Sequence, residues 1–246
     1  MSAERLAELI RENQPCVVLT GAGVSTESGI PDFRSPGGIW ARYDPMEYAT
    51  IQAFRRDPVK VWDFYSKRLR ALTDARPNAA HEALAALERE GCVEAVVTQN
   101  IDRLHELAGS RNVVEVHGSI RTSSCLACGW QASLDDVLRM LESAPAPECE
   151  RCGDVLKPDV VMFGELLPVA AIERATELAG AARLLLVVGS SLGVYPVADL
   201  PRQTVGTGGT LAIVNREPTP YDDDAALVIH AGAGEMLEKV CKDLLG

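Results

Sequence analysis

The sequence predicts an α/β protein built on a doubly wound parallel sheet, and three observations lead to this fold class. Short apolar runs typical of buried strands alternate with segments of helical periodicity. Several of these runs end in glycine or polar residues, and the carboxyl ends of strands are where such sheets bind ligands. The composition changes over residues 121–157, which hold two Cys-x-x-Cys pairs and two prolines. We therefore expect one α/β unit that carries a small inserted module.

The predicted helices and strands together cover a little under half of the chain. Leu6, Leu9 and Ile10 share one face of a first helix. Pro58 lies in the first turn of a long helix, and Asn78 caps the next one. Helices are predicted over residues 3–13, 58–74, 79–90, 101–108, 134–143, 169–181 and 234–245. Buried strands are predicted over residues 16–19, 93–98, 113–116, 160–163, 184–188, 211–214 and 227–230.

The composition is that of a globular protein. The 246 residues have 47% hydrophobic content, and no apolar run approaches the roughly 18–20 residues that cross a bilayer. The first five residues lack the apolar core of a signal peptide, so we expect a cytoplasmic protein that does not bind membranes. The formal charge of −11 disfavours a surface that coats nucleic acid. The same charge fits attraction of lysine-rich polypeptides, and it also fits solubility alone.

A glycine-rich stretch follows the first predicted strand. Gly21 and Gly23 allow bare backbone to approach a ligand, and a strand that turns into a helix presents free N–H groups to a phosphate. The usual dinucleotide fingerprint has a third glycine where this chain has Thr26, and Pro31 breaks the following helix early. The stretch fits either a dinucleotide site or a plain joint between a strand and a helix.

The predicted strand ends together indicate a ligand-binding rim. Glycine or polar residues end five of the strands: Gly21 to Gly23, Gln99 to Asp102, His117 with Gly118, Gly189 to Ser191, and Asn215 with Arg216. Within this rim His117 is a candidate general base, because a neutral imidazole takes up a proton near pH 7. The alternative is a histidine whose ring is satisfied by ordinary hydrogen bonds.

Four of the seven cysteines have the spacing of a metal site. Two Cys-x-x-Cys pairs bring four thiolates into the tetrahedron that zinc prefers, and four thiolates leave no position for water. The expected structural zinc ligands are Cys125, Cys128, Cys149 and Cys152. Disulfides or a redox pair are the alternatives, and a cytoplasmic location disfavours disulfides.

Tyr65 and Arg68 lie three residues apart on the predicted helix 58–74, so they share a face. A hydroxyl and a guanidinium together make a suitable grip for a carboxylate. The alternative is a solvated helix face, because Lys67 and Arg70 are also present.

Taken together, the residues resemble the sirtuins, the NAD-dependent protein lysine deacylases. The matching motifs run in family order: Gly21-Ala22-Gly23-Val24-Ser25, Gly29-Ile30-Pro31-Asp32-Phe33-Arg34, Thr98-Gln99-Asn100-Ile101-Asp102, His117-Gly118, the four cysteines, Phe163-Gly164-Glu165, Gly189-Ser190-Ser191-Leu192 and Val214-Asn215. The resemblance implies a single catalytic domain over residues 1–246, most similar to bacterial or archaeal sirtuins. Its Rossmann-type part would comprise residues 1–34, 78–120 and 158–246, with a cofactor loop and helical module at 35–77 and a zinc module at 121–157.

The resemblance also implies roles for individual residues. NAD would be bound by Gly21, Ala22, Gly23, Thr26, Phe33, Arg34, Gln99, Asn100, Ile101, Asp102, Gly189, Ser190, Ser191, Asn215, Arg216 and Ala233. The acyl-lysine tunnel and the edges that hold the peptide would be formed by Val161, Phe163, Gly164, Glu165, Val194 and Tyr195. His117, Asn100 and Asp102 would be catalytic, and the products would be nicotinamide, O-acyl-ADP-ribose and free lysine. The zinc would be structural, and we expect a monomer that acts on acyl-lysine proteins.

The acyl group is the open point of this resemblance. The spacing of Tyr65 and Arg68 is similar to that of sirtuins that prefer succinyl, malonyl or glutaryl lysine, where the pair would bind the acyl carboxylate. Asp32 stands where those relatives usually carry threonine, and Gly193 is smaller than the usual residue at its position. We therefore expect deacetylation, with acidic deacylation as a second activity.

Three other functions compete with deacylation. ADP-ribosyl transfer from NAD to protein would use the same pocket, so the sequence separates it poorly. A non-catalytic NAD-sensing module is disfavoured by the presence of His117, Asn100 and Asp102. A hydride-transferring dehydrogenase is disfavoured by the missing third glycine and by the helix broken at Pro31.

Overall fold

Six parallel strands form the central sheet in a computed structural model that describes residues 2–246. The strands, in chain order, are β1 (Cys16–Thr20), β2 (Ala95–Thr98), β3 (Val113–Glu115), β7 (Leu184–Val188), β8 (Thr210–Val214) and β9 (Leu227–Ile229). Their spatial order is β3-β2-β1-β7-β8-β9, so the strand order reverses at β1 and β7. The doubly wound parallel sheet is therefore confirmed.

Helices cover both faces of this sheet. One face packs on α1 (Ser2–Glu12), α5 (Ala79–Arg89) and α10 (Ala233–Leu245), and the other packs on α8 (Val169–Ala181) and α9 (Leu200–Gly206). Val18 belongs to the first apolar cluster and Leu19 to the second, because successive side chains of a strand point to opposite faces. Strands buried on both sides need an unbroken apolar run, which explains why β1 and β7 are entirely buried.

A smaller antiparallel sheet carries the four paired cysteines. It consists of β4 (Gly118–Cys125), β5 (Gln131–Ser133) and β6 (Leu156–Val160) in the order β5-β4-β6. Helix α7 (Leu134–Ser143) follows β5 directly, and Ser133 begins it with a capping box. The predicted inserted module therefore has its own sheet and helix.

Three helices form the second small module, and each begins at a residue whose side chain accepts a backbone hydrogen bond. They are α2 (Pro45–Tyr48) capped by Asp44, α3 (Ile51–Arg56) capped by Thr50, and α4 (Pro58–Asp74) capped by Asp57. Trp62 is fully buried on α4, and its indole N–H donates to the Leu156 carbonyl at 2.7 Å. That bond ties the helical module to the cysteine-bearing sheet.

Two predicted boundaries are wrong. The strand predicted over residues 160–163 lies at Leu156–Val160, where the polar Lys157 and Asp159 hid it from an apolar pattern. The helix predicted over residues 101–108 is only Leu104–Leu107 (α6), because the Asp102 carboxylate accepts from the Leu104 N–H and begins the helix there. None of the helices over residues 2–246 is long and apolar enough to cross a membrane.

Candidate active site

A cavity of about 530 Å³ lies where the carboxyl ends of β1 and β2 face the two small modules. This is the edge at which open α/β sheets bind ligands. Sixteen of the residues expected from the sequence line it: Ala22, Phe33, Arg34, Tyr65, Arg68, Gln99, Asn100, Ile101, Asp102, His117, Val161, Phe163, Gly164, Glu165, Val194 and Tyr195. The structure therefore brings together residues that are widely separated in the chain, from Ala22 to Tyr195.

The remaining expected residues lie outside the cavity wall, along the neighbouring strand ends. They are Gly21, Gly23, Thr26, Gly189, Ser190, Ser191, Asn215, Arg216 and Ala233. The Gln99 amide connects the two groups, because its N–H donates to the Ser190 hydroxyl at 2.9 Å. The rim thus continues from the cavity toward β7, β8 and the start of α10.

The glycines of the first turn pack against the turn that follows β7. A Cβ on Gly23 would lie 2.7 Å from the Gly189 carbonyl oxygen, and one on Gly189 would lie 2.3 Å from the Val24 nitrogen. The Gly23 N–H donates to the Gly189 carbonyl at 2.8 Å, and the Gly21 N–H donates to Val188 at 3.3 Å. The expectation that this turn presents its glycine N–H groups free to a phosphate is therefore wrong for these two. Close contact of the two turns is what requires glycine.

The turn continues as a 3₁₀ helix, Ala22–Ser28, that places Ser25 beneath the cavity. The Ser25 hydroxyl donates to the Asp102 carboxylate at 2.7 Å and accepts from the Asn100 amide at 3.0 Å. Burial raises the pKa of Asp102, and hydrogen bonds to it from the Leu104 N–H, Ser25 and Asn100 lower it in part. Ser25 therefore holds the amide and the carboxylate in fixed positions relative to each other.

His81 extends this network from the start of α5. Its Nδ1 accepts from the Asn78 N–H at 3.3 Å, so the proton of the neutral ring is on Nε2. That Nε2 lies 3.4 Å from the Ser25 hydroxyl oxygen and donates toward it. Burial lowers the pKa of His81 to about 4, so the ring is neutral at pH 7. The hydrogen bonds therefore run in one direction: His81 donates to Ser25, and Ser25 donates to Asp102.

The imidazole of His117 is oriented as a proton acceptor. Its Nδ1 lies 3.0 Å from the Gln99 carbonyl oxygen, which only accepts, so Nδ1 carries the proton. The Nε2 atom of the neutral ring is then bare. Burial lowers the pKa of His117, and the hydrogen bond to Gln99 opposes this in part. The neutral form needed by a general base is thus favoured at pH 7.

Arg68 lines the cavity beside two aromatic rings. Its guanidinium carbon lies 4.9 Å from the centre of the Phe33 ring and 5.5 Å from that of Phe64. Over residues 2–246 no carboxylate lies within ion-pairing distance of it. Tyr65 beside it is buried, and burial raises the pKa of its phenol to about 12. The pair offers a neutral hydroxyl and a cation to the cavity, which a solvated helix face would not do.

Exposed aromatic side chains mark the mouth of the cavity. Phe163 is 44% exposed and Tyr195 is 61% exposed, although both line the cavity. They lie on separate segments, one after β6 and one after β7. A cavity with an apolar rim and two backbone segments at its mouth suits an extended peptide.

The far end of the rim lies at the start of α10. The Glu27 carboxylate accepts from the Gly234 N–H at 3.2 Å and lies 3.8 Å from the Arg216 guanidinium. The Gly189 N–H donates to the Val214 carbonyl at 2.9 Å, so the ends of β7 and β8 stay adjacent.

The four paired cysteines converge on one point, and their sulfur atoms all lie within 4.8 Å of one another. Cys125 and Cys152 are 3.4 Å apart, and Cys128 and Cys149 are 3.5 Å apart. Four thiolates at about 2.3 Å from zinc would be about 3.8 Å apart, so the donor set fits that metal. The backbone N–H of Cys128 lowers the pKa of Cys125, and the thiolate form of cysteine is the one that binds a metal. The cysteines are therefore positioned to bind a structural zinc.

Sequence reasoning missed several residues of the cavity. Ser25 stands in the glycine-rich motif, yet nothing in its spacing shows a bond to Asp102. His81 has the pattern of a helix-capping residue, which it also is. Trp40 and Phe64 line the cavity beside Phe33, and only the three-dimensional packing of the helical module brings them there.

Comparison with known proteins supports this geometry. The model of the Sir2 family matches residues 21–196. The chain is 47% identical to an NAD-dependent protein deacetylase of Caldivirga maquilingensis over 98% of its length and 93% of that relative. The chain belongs to the Sir2 family. A Sir2-family relative in Pyrobaculum aerophilum, named NAD-dependent protein deacylase 2, is 46% identical over 97% of this chain and 94% of the relative.

A solved Sir2 structure is also similar over almost the whole chain. It superposes with a TM-score of 0.95 at 42% identity, covering 99% of this chain and 98% of that one. That structure is described as a Sir2 variant with a deacetylated p53 peptide and 3′-O-acetyl-ADP-ribose. The Sir2 fold, with its parallel sheet and smaller antiparallel sheet, is therefore common to both chains.

Proposed function

We propose that the protein is an NAD-dependent protein-lysine deacylase that gives nicotinamide, O-acyl-ADP-ribose and free lysine. One observation carries the proposal: a single cavity holds the His117 imidazole beside the Asn100 amide and the Asp102 carboxylate, with an apolar mouth suited to a peptide. The names of the similar proteins and the acetyl-ADP-ribose in the similar structure support the same reaction.

In this proposal Asn100 and Asp102 bind the nicotinamide end of NAD. Ser25 and His81 fix both side chains, so the amide dipole and the carboxylate are already in place when positive charge develops at the ribose. Phe33 and Arg34 lie on the loop above, where they shield the reacting bond from water. The acyl oxygen then displaces nicotinamide at the ribose carbon.

His117 acts next as the general base. Its bare Nε2 accepts a proton from a ribose hydroxyl, and the resulting oxygen attacks the acyl carbon. Water completes the reaction, which releases the lysine amine and an acylated ADP-ribose. The two segments around Phe163 and Tyr195 hold the peptide as an added strand while the acylated side chain enters the cavity.

We further propose that the cavity accepts acidic acyl groups. The Arg68 guanidinium carbon lies over the Phe33 and Phe64 rings, its N–H groups are suitable donors to a carboxylate, and the buried Tyr65 hydroxyl can add one hydrogen bond. The absence of a protein carboxylate beside Arg68, over residues 2–246, supports a carboxylate of the substrate in that place. Deacetylation is expected as well, because the Arg68 guanidinium beside its two rings does not prevent an acetyl group from entering the cavity.

The reaction class is tested with an acetyl-lysine peptide and NAD labelled in the adenosine half. Release of nicotinamide and labelled O-acetyl-ADP-ribose is expected, and His117→Gln should lower kcat by at least about 100-fold, the contribution of a general base. Lys67→Met, which changes an exposed residue of α4 outside the cavity lining, is the control and should leave kcat unchanged. Label on protein instead of on O-acetyl-ADP-ribose would replace the proposal with ADP-ribosyl transfer.

The acyl preference is tested by comparing succinyl-lysine and acetyl-lysine peptides of one sequence. Arg68→Met should lower kcat/KM for the succinyl peptide at least about tenfold relative to the acetyl peptide, since a charge-assisted hydrogen bond contributes about 1.5–3 kcal/mol. Arg70→Met, an exposed arginine on the same helix, is the control. An equal loss for both peptides would refute the carboxylate grip and leave the deacylase proposal standing.

A further inference from the structure

Lys157 is a buried lysine next to the cavity, with only 6% of the residue exposed. Its ammonium donates to the Pro158 and Val160 carbonyls, each at 2.9 Å, and lies 3.0 Å from the Glu165 carboxylate. An ammonium group has three N–H donors. All three therefore have acceptors within one segment of about ten residues.

Glu165 closes this segment from the other end. The carboxylate oxygen that faces Lys157 also accepts from the Met162 N–H at 2.8 Å. Glu165 itself lines the cavity. The Glu165 N–H also donates to the Met162 carbonyl at 3.0 Å, so the ion pair reinforces a turn at residues 160–165 and places a paired carboxylate rather than a free one at the cavity wall.

The same turn is joined to its neighbours on both sides. The Val161 N–H donates to the His117 carbonyl at 2.8 Å. The Phe163 N–H donates to Ala49 at 2.8 Å, and the Phe163 carbonyl accepts from the Ile51 N–H at 3.0 Å. The turn therefore connects the backbone of the proposed base to the helical module, and its outer side forms one edge of the cavity mouth.

We propose that Lys157 is a positioning residue for the acyl-lysine substrate. By holding residues 160–165 closed, it presents the edge around Phe163 to the peptide, and by pairing with Glu165 it keeps that carboxylate from repelling an acidic acyl group. This inference rests on the proposed deacylase function. The three polar partners of the Lys157 ammonium (Pro158, Val160 and Glu165) lie outside the glycine turns at the ends of β1 and β7, so we expect its effect on the peptide rather than on NAD.

The test uses the full-length, zinc-loaded protein with Lys157→Met and Lys157→Arg. Lys67→Met is the matched control, because Lys67 is exposed and pairs with Asp63 in solvent. The KM for an acetyl-lysine peptide, the KM for NAD and the rate of nicotinamide release are measured, together with peptide affinity by fluorescence anisotropy without NAD. The anisotropy measurement does not depend on turnover.

Lys157→Met should weaken peptide binding and raise the peptide KM at least about tenfold, the loss expected when a buried charged hydrogen bond is removed. The KM for NAD should change less than about twofold. Lys157→Arg should recover most of the peptide affinity, and Lys67→Met should match the wild type. In Lys157→Met, the affinity for a succinyl-lysine peptide should fall more than the affinity for the acetyl peptide, because the Glu165 carboxylate then lacks its paired cation.

Equal increases in the KM for peptide and the KM for NAD would overturn the inference. An unchanged peptide affinity in Lys157→Met would also overturn it. If Lys157→Met does not fold, Glu165→Gln removes the ion pair with less strain, and it should weaken acetyl-peptide binding in the same direction. An unchanged affinity in Glu165→Gln would equally overturn it. A wild-type protein that binds the peptide but releases no nicotinamide from any acyl-lysine peptide would refute the proposed function, while the anisotropy comparison would still decide the role of Lys157.

Discussion

Lowering the pH from 7 to 5 should lower the free energy of unfolding by about 4 kcal/mol, because two histidines are buried in the folded state. The rings of His81 and His105 are 4.8 Å apart and almost inaccessible. Burial lowers the pKa of His81 to about 4, and burial together with the neighbouring His81 lowers the pKa of His105 to about 3. An imidazole in the unfolded chain has a pKa of about 6.5. As the pH falls below about 6.5 the unfolded state takes up protons first, so each ring contributes a loss of about 2 kcal/mol by pH 5.

The assay is urea unfolding followed by circular dichroism at pH 7 and pH 5. The wild type is compared with His105→Gln, whose amide can still donate to the Thr20 hydroxyl that His105 reaches at 2.9 Å. Whatever its own stability at pH 7, His105→Gln should lose about 2 kcal/mol less than the wild type between the two pH values.

Zinc release is the main competing cause of acid destabilisation, because protonated thiols do not bind the metal. A zinc-sensitive dye added at each pH shows whether the metal stays bound, and only measurements with bound zinc are compared. If His105→Gln and the wild type lose the same free energy of unfolding, the buried neutral imidazole is not the source, and the reasoning fails.

Replacing Gly189 by alanine should lower the melting temperature by about 5–10 °C, because φ is +60° there and the new Cβ would lie 2.3 Å from the Val24 nitrogen. The control is Gly180→Ala, where the new Cβ would lie in open space on α8, and it should not lower the melting temperature. Equal melting temperatures for the two variants would contradict the packing argument. Ser25→Ala should lower kcat for nicotinamide release about 10- to 100-fold through loss of the 2.7 Å bond to Asp102, and an unchanged kcat would show that this bond does not position the carboxylate. Chelation should remove one zinc per chain and lower the melting temperature reversibly, whereas no shift on metal loss would mean that the cysteine cluster does not stabilise the fold.

The central sheet was predictable because each of its strands can be recognised from its own residues, without knowledge of the neighbouring strands. β1 and β7 are buried on both faces, so their side chains form unbroken apolar runs. The four cysteines were predictable for a similar reason, since zinc ligands come in fixed spacings. In both cases the physical requirement acts on residues that are close along the chain.

The small modules were less predictable because their stability comes from distant partners. β6 contains Lys157, which is buried and paired with Glu165, and the half-buried Asp159, which accepts from the hydroxyls of Thr122 and Ser124. An apolar pattern therefore places this strand four residues too late. The candidate site was also only partly predictable from the sequence. Its polar residues stand in recognisable motifs, but the aromatic wall and the bond from Ser25 to Asp102 depend on tertiary packing.

The departure of the first turn from a dinucleotide fingerprint has a structural reason. In that fingerprint the third glycine lets an α-helix pack closely on the strand, whereas here a 3₁₀ helix, Ala22–Ser28, follows the strand instead. Within this helix the Thr26 hydroxyl donates to the Gly23 carbonyl at 2.9 Å, and Gly29 ends the helix at a φ of +82°. A short helix directs Ser25 toward Asp102 and releases the chain early, so that Phe33 reaches the cavity. A full α-helix from Ala22 would carry the chain away along the sheet, and the site would lose both the hydroxyl beneath the carboxylate and the aromatic ring above it.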